Sequence, residues 1–378
     1  MPVRLLIWGS LILVVLGLAG FGTWIMRLPV VPAGGPAQPV AQAEMDAMLT
    51  ALRPPKRARP LIAIVGINDA TETTDYLMPT GIRRRADIAD VVTLATQPGS
   101  VRLYPALTVE PDATIADFDA RHPEGADYVI VPAMSRDDDP AALAWIRGQA
   151  GKGAIIIGVC VGAKVVAAAG LLDGRRATTH WYVLKEMLRR NPAIAYVPDR
   201  RMVVDRGVAT TTGITASMPM MLTLIEAIAG RPKAEAVAQE LGLPHWDARH
   251  NSGAFTLTRS FALTMLGNLA SFWNREELGI RLEPGMDEVS LALVADAWSR
   301  TYRSSAVTFA ASTSAVETAN SIRVLPDQVT ADWPEQHSVS IFPDQPPSAA
   351  LDRALRVITE RYGQRTASVV AMQLEYPP

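Results

Sequence analysis

A single cysteine, Cys160, stands in the stretch Ala154–Ala163, A-I-I-I-G-V-C-V-G-A. An apolar run of strand length ends at Gly158, the cysteine follows two residues later, and Gly162 and Ala163 open a helical pattern. This is the G-x-nucleophile-x-G arrangement of a strand-to-helix turn. Small flanking residues let the backbones pack closely while the turn holds the nucleophile strained at the carboxyl edge of a sheet. The chemistry on offer is attack by a thiolate. A helix N-terminus behind the cysteine is expected to lower its pKa, and the backbone N–H groups of Val161 and Gly162 are expected to hold a developing oxyanion. The competing reading is a packed core thiol, because free cysteine is among the most buried residue types.

The elements that must position this turn alternate in kind. LIAIVG (Leu61 to Gly66), DVVTLAT (Asp90 to Thr96), DYVIVPA (Asp127 to Ala133) and AIIIGVC (Ala154 to Cys160) are continuous apolar runs. Such runs suit strands buried on both faces in a parallel sheet. Helical stretches are expected between them, over 75–86, 141–150, 163–169 and 181–190, with closing strands at 202–205 and 208–213 and a closing helix over 217–230. The fold class is α/β: an open, flavodoxin-like parallel sheet sandwiched by helices.

The segments G-V-C-V-G-A (158–163), G-L-L-D-G-R-R-A-T-T-H-W (170–181) and G-V-A-T-T-T-G-I-T-A-S (207–217) together resemble the ThiJ/PfpI family of the class I glutamine amidotransferase-like superfamily. The likeness is greatest to the amidotransferase-like domain at the front of many AraC-type regulators, and it covers about 59–242. It implies three site residues. Cys160 is the nucleophile. Asp75, four residues before Pro79, matches the acidic family position that contacts the cysteine, with Glu72 a weaker substitute. His180, twenty residues after Cys160, is an auxiliary that stabilises a thiolate or shuttles protons. The competing roles are a helix N-cap for Asp75 and a structural ring before Trp181 for His180. Val161 departs from enzymatic relatives, which often carry a polar residue there. Lys164 reads as a surface residue.

The N-terminal run Leu5 to Met26 has 22 uncharged residues bracketed by Arg4 and Arg27, with Trp8 and Trp24 near its ends. At ~1.5 Å per residue it spans about 33 Å, enough for a bilayer core. A transmembrane anchor over 1–28 is therefore expected, in preference to a cleaved signal, whose apolar region would be shorter. The result is a single-pass membrane protein with the bulk on the extracytoplasmic side by a margin of about one charge. Residues 29–58 read as a linker, with a short amphipathic helix over 44–53.

The region 243–378 shows a partial echo of the first domain. Asp287–Asp296 resembles a first strand, Ser304–Ser312 resembles Asp87–Thr96, Ser321–Asp327 parallels Ser100–Ala106, and Ala350–Ala371 parallels Met218–Ala238. The middle, with the elbow, is missing. A truncated second α/β copy without an active site is expected, so the chain pairs as a homodimer or as an intramolecular pseudo-dimer. A long helix is expected over 254–278. No AraC-type helix-turn-helix is recognisable.

Composition narrows the classes. The 378 residues are 49% hydrophobic and 20% charged with net charge −2, which excludes a disordered chain and gives no basic field for nucleic acid. One cysteine excludes an internal disulfide. Five histidines leave little for a metal centre; His245, Asp247 and His250 read as a polar loop, and Asp137–Asp139 as a capping loop. No metal or organic cofactor is implied. Two functions remain open. One is a cysteine-dependent hydrolase or hydratase/lyase of a small electrophilic substrate. The other is a non-catalytic sensor that binds a small ligand in the same pocket.

Overall fold

The structure, a computed structural model, describes residues 13, 16–17, 19–32 and 34–376. In chain order its elements begin with α1 (Gln42–Ala51), β1 (Leu61–Gly66), β2 (Asp69–Glu72), α2 (Thr73–Ala86), β3 (Asp90–Ala95), β4 (Val101–Tyr104), β5 (Thr108–Glu110) and β6 (Ala113–Thr114). There follow α3 (Ile115–Arg121), β7 (Tyr128–Val131), α4 (Pro140–Gly151), β8 (Ile155–Gly158), α5 (Gly162–Ala168), β9 (Arg176–Ala177), α6 (Trp181–Arg190), β10 (Ala195–Tyr196), β11 (Met202–Asp205), β12 (Val208–Thr211), α7 (Ser217–Ala229) and α8 (Arg231–Leu241). The chain continues through α9 (Arg259–Ala270), β13 (Glu276–Arg281), α10 (Glu288–Ser299), β14 (Ser304–Ala310), β15 (Val316–Glu317), β16 (Arg323–Leu325), β17 (Gln328–Val329), α11 (Ala349–Tyr362) and α12 (Gln364–Gln373).

A seven-stranded sheet in the order β11-β12-β8-β7-β1-β3-β6 carries the front of the chain. Its strands run parallel except at β11, which is antiparallel to β12. Every residue of β1, β7 and β8 is buried, which is why these strands read as unbroken apolar runs. Alternate residues serve opposite faces. Ile62, Ile64, Ile130 and Ile157 join the core of α2 and α7, whereas Ala63, Val65, Val129 and Ile156 join that of α4 and α5. The sheet is the open parallel α/β layer that the sequence calls for.

The rest of the chain adds a parallel three-stranded sheet, β13-β14-β17, and a five-stranded sheet, β15-β16-β5-β4-β2, that joins front and back. Helices α2 and α10 pack on each other closely at Gly81, where a Cβ would lie 2.2 Å from Glu288 Oε1.

Three expectations are corrected. The membrane anchor begins outside the described residues, and among those described no helix is long and apolar enough to cross a membrane. The single-pass placement and its extracytoplasmic preference fall with it. The described end of that run is helical over 19–27 and lies against protein: Ile25 is buried, and the Arg259 side chain donates to the Met26 carbonyl at 2.7 Å. Asp287–Asp296 is not a strand but the cap and body of α10, with Asp287 accepting from the Ser290 N–H at 2.7 Å. Its apolar run is buried on all sides, so no periodicity betrayed a helix. The long helix over 254–278 ends at Ala270 and gives way to a 3₁₀ turn (Phe272–Asn274) and β13.

Candidate active site

Cys160 sits between β8 and α5 with φ +54°, a left-handed conformation that costs a non-glycine residue roughly 1–2 kcal/mol. The turn is held from several sides. The Cys160 N–H donates to Thr211 Oγ1 at 3.0 Å, and Thr179 Oγ1 donates to the Cys160 carbonyl at 3.0 Å. The flanking glycines are sites of close approach. A Cβ on Gly162 would stand 1.9 Å from the Val131 carbonyl oxygen, and one on Gly158 would stand 2.9 Å from Ala163 Cα. The strand–turn–helix geometry of the motif is thus present in full.

The thiol is 3% exposed. Burial pushes it well above its ordinary value, and the carboxyls of Asp75, Glu72 and Glu375 push the same way, while the Val161 N–H opposes them. The expected lowering by the helix N-terminus is outweighed, since a helix end contributes only ~0.3–1 kcal/mol at ordinary exposure. The oxyanion expectation is corrected at one residue. The Gly162 N–H donates to the Val159 carbonyl at 2.7 Å and is spent. The Val161 N–H serves the sulfur.

Asp75 lies in the first turn of α2, fully buried. Its Oδ2 accepts from the Ala133 N–H at 3.1 Å, and its Oδ1 has no partner. Burial, then the neighbouring Glu72 carboxyl, raises it well above the carboxylate range. The N-cap of α2 is Glu72, whose Oε2 accepts from the Asp75 N–H at 2.6 Å and from Thr74 Oγ1 at 2.8 Å. Its Oε1 accepts from Arg300 Nη2 at 2.8 Å, and Arg300 Nε reaches Asp296 Oδ1 at 2.8 Å. Burial raises Asp296 to about 7 against the pull of Arg300.

His180 is buried and caps α6: its Nδ1 accepts from the Tyr182 N–H at 3.2 Å, and its Nε2 lies 3.0 Å from the Gln373 carbonyl. Both ring nitrogens are engaged, and burial lowers its pKa. Lys164 pairs with Asp137 at 3.3 Å and Glu186 at 3.0 Å, away from the thiol. Asp139 caps α4 through the Ala141 and Ala142 N–H groups. His250 stacks on Phe255 and faces Glu375 at 3.6 Å. Among the described residues no cluster suited to a metal ion is present.

A cavity of about 780 Å³ opens over the elbow. Cys160, Glu72, Arg300 and His180 give it polar groups, and its walls carry Trp24, Tyr104, Trp181, Tyr182, Phe261 and Tyr302. Sequence reasoning missed Arg300 and Glu375. Glu375 accepts from the Trp181 N–H at 2.8 Å and the Gly213 N–H at 2.7 Å, locking the C-terminal turn onto the site. Neither residue belongs to a motif. Arg300 lies outside the family match, far along the chain, and no local spacing points to it.

The DJ-1/PfpI family profile matches residues 62–227, the segment that holds Asp75, Cys160 and His180. These residues form a DJ-1/PfpI family domain. Isonitrile hydratase of Pseudomonas putida is 35% identical to this chain over 153 residues, which are 40% of this chain and 62% of the relative. The HTH-type transcriptional regulator CdhR of Pseudomonas aeruginosa is 36% identical over 104 residues, 28% of this chain and 31% of the regulator. The chain thus spans less than two thirds of the length of these relatives. Among solved structures, Drosophila melanogaster DJ-1beta is similar at 21% identity and a TM-score of 0.45, over 50% of this chain and 100% of that one. The relatives of the DJ-1/PfpI domain therefore include both an enzyme and a regulator.

Proposed function

We propose that the DJ-1/PfpI domain hydrates a small carbon electrophile borne on a bulky apolar group, with an isonitrile as the class that fits. The observation that carries this reading is the burial of Cys160 and of Asp75, a carboxyl raised by burial and by Glu72, beneath an aromatic-walled cavity. Acyl transfer needs donors aimed at an oxyanion, and the Gly162 N–H is already committed to Val159. Addition to an isonitrile needs instead a proton donor for the attacked carbon, which is what a protonated carboxyl supplies. The name of the Pseudomonas putida relative adds weight to the same class.

Cys160 sulfur bonds to the terminal carbon of R–N≡C, that carbon takes a proton from Asp75, and Asp75 takes the thiol proton. The result is a thioimidate, R–N=CH–S–Cys. Water adds to the same carbon and the nitrogen is protonated. The C–S bond then breaks, the sulfur regains a proton and the hydroxyl loses one. The product is the N-substituted formamide, so R–N≡C and water give R–NH–CHO with the thiol restored. Asp75 holds the moving proton, Glu72 and Arg300 fix its helix, and His180 and Glu375 hold the wall.

A second reading, a ligand-binding module without turnover, draws on the raised thiol and the regulator relatives. One experiment separates the two. The full chain and its Cys160→Ser and Asp75→Asn variants are incubated with cyclohexyl and aryl isonitriles, and formamide is followed by NMR alongside Trp fluorescence. Formamide from the wild type alone supports hydration. Fluorescence quenching without formamide in any sample overturns it in favour of the ligand-binding reading.

A further inference from the structure

We propose that the C-terminal half is a degenerate copy of the front of the DJ-1/PfpI domain, that it takes the place of a second subunit across an internal pseudo-dyad, and that its Arg300 is a positioning residue for the Cys160 site. The last part rests on reading that site as the functional one.

From helices α2 and α10 to Asp112 and Asp327, equivalent residues recur at one constant sequence spacing, which shortens for the closing helix pair because the middle of the copy is missing. Thr93 and Asp112 form a clasp between β3 and the start of β6: Asp112 Oδ2 accepts from the Thr93 N–H at 2.7 Å and Oγ1 at 2.8 Å, and Thr93 Oγ1 accepts from the Asp112 N–H at 3.0 Å. Thr308 and Asp327 repeat it between β14 and β17 at 2.8, 2.8 and 3.0 Å. The parallel set β1-β3-β6 matches β13-β14-β17, and α2 matches α10. The helix pairs that follow match as well, each hinged at a glycine of φ +85°, Gly230 and Gly363. This register also corrects the sequence pairing of Ser321–Asp327 with Ser100–Ala106: the true counterpart of β16 is β5, in L-T-V-E-P-D against I-R-V-L-P-D.

The two copies meet about a dyad. Strands β5 and β16 pair antiparallel with Val109 opposite Val324, its own counterpart, and with Thr108 and Glu110 exchanged against Leu325 and Arg323. The ion pairs are exchanged in the same way. Arg85 of the first copy reaches Asp287, the N-cap of α10, and its counterpart Arg300 reaches Glu72, the N-cap of α2. Contacts of this reciprocal kind are the signature of an isologous interface. The chemistry, however, is one-sided. Ser290 stands where the first copy has Asp75, and the second copy has no cysteine. It has kept the interface and Arg300, and lost the site.

Arg300 acts through Glu72, whose other oxygen holds the Asp75 N–H. The charged and titratable groups around Cys160 are then Asp75 and Glu72 at α2, Glu375 at the C-terminal turn, His180 at α6, and Arg300 with Asp296 from α10. Arg300 is the cation among them that enters from the second copy.

Two measurements on the full chain test this, and neither requires turnover, so they stand even if no substrate is converted. A Val109→Cys, Val324→Cys double variant in a Cys160→Ser background is oxidised with diamide. The expected product is an internally cross-linked single chain at every concentration; a covalent dimer would overturn the internal dyad. In the second, Cys160 alkylation by iodoacetamide is followed against pH. The midpoint is expected to rise by about one unit in Arg300→Met through loss of the nearby cation, to lie between in Arg300→Lys, and to stay at the wild-type value in Arg85→Met, which breaks the mirror pair. Equal shifts in Arg300→Met and Arg85→Met, or none in either Arg300 variant, would reduce Arg300 to a structural contact and sink its role.

Discussion

Asp75 is tied to Ala133 through one carboxyl oxygen only. Oδ2 accepts the Ala133 N–H at 3.1 Å, while Oδ1, equally buried, has no partner. A buried oxygen without a partner costs roughly 1–3 kcal/mol, and under the proposed hydration it is the oxygen that would carry the transferred proton. Asp75 is coupled to Cys160, since after burial the Asp75 carboxyl is the largest cause raising the thiol.

Replacing Asp75 by Asn removes the acid and keeps the shape. Formamide production is expected to fall ~10²-fold or more, the usual weight of a general acid. Stability gives a second signature. The folded-state pKa of Asp75 is raised above its ordinary 3.8, so its stabilising neutral form is fully matched below that pH and stability is lost progressively as pH rises toward the folded value. Urea unfolding of Asp75→Asn should therefore show a gain over the wild type at pH 8 that closes by pH 4. Parallel stability curves for the two proteins would mean that Asp75 is ionised in the folded chain.

Thr211 tests the support of the elbow. Its Oγ1 accepts the buried Cys160 N–H at 3.0 Å. Thr211→Val keeps the volume and deletes the acceptor, leaving a buried donor unmade at a cost of about 1–3 kcal/mol. The expected result is a lower urea midpoint with the slope unchanged. An unaltered midpoint would show that the turn has another acceptor within reach.

The elbow was legible in the sequence because each of its demands is local. Gly158 and Gly162 must be small, and Cys160 must follow a buried strand, all within a few residues. The parallel sheet was legible for the same reason, in the unbroken apolar runs of β1, β7 and β8. What was not legible is what arrives from far along the chain. Arg300 and Glu375 reach the site only because α10 and the C-terminal turn fold onto the elements around Cys160, and no spacing records that. The sequence of helix α10 reads as a strand because E-V-S-L-A-L-V-A-D-A-W is buried around its whole circumference, which erases the period that marks a helix. The apolar N-terminal run reads as a membrane span on length and composition, and these do not say what an apolar surface will cover. In its described part it lies against α9 and the cavity.

His180 separates a structural ring from a proton shuttle. Its nitrogens are held by Tyr182 and Gln373, so His180→Gln is expected to cost about 1–2 kcal/mol in lost hydrogen bonding without moving the pH profile of formamide production. Burial lowers its folded pKa below 6.5, so its contribution to stability is present above that pH and lost as pH falls. The variant should accordingly lose less stability between pH 7 and pH 5 than the wild type. Some acid sensitivity should persist, because His250 is lowered by burial too. A pH profile displaced in the variant would return His180 to the proton path.

Gly162 is the position where the backbone of the elbow has no slack. A methyl group there would meet the Val131 carbonyl oxygen at 1.9 Å, with the Pro132 backbone at 2.9 Å, and neither neighbour is a side chain that can swing away. Val131 is itself fixed, since its carbonyl accepts the Val159 N–H at 3.0 Å and it pairs with Gly158 across β7 and β8. Gly162→Ala must therefore push α5 outward, at a cost of about 1–3 kcal/mol or more, and carry Cys160 with it. The expected outcome is a lower melting temperature together with faster alkylation of Cys160 at pH 7, because a displaced elbow opens the buried thiol to solvent. Unchanged alkylation with an unchanged melting temperature would show that the strand and helix are not pressed together at this turn.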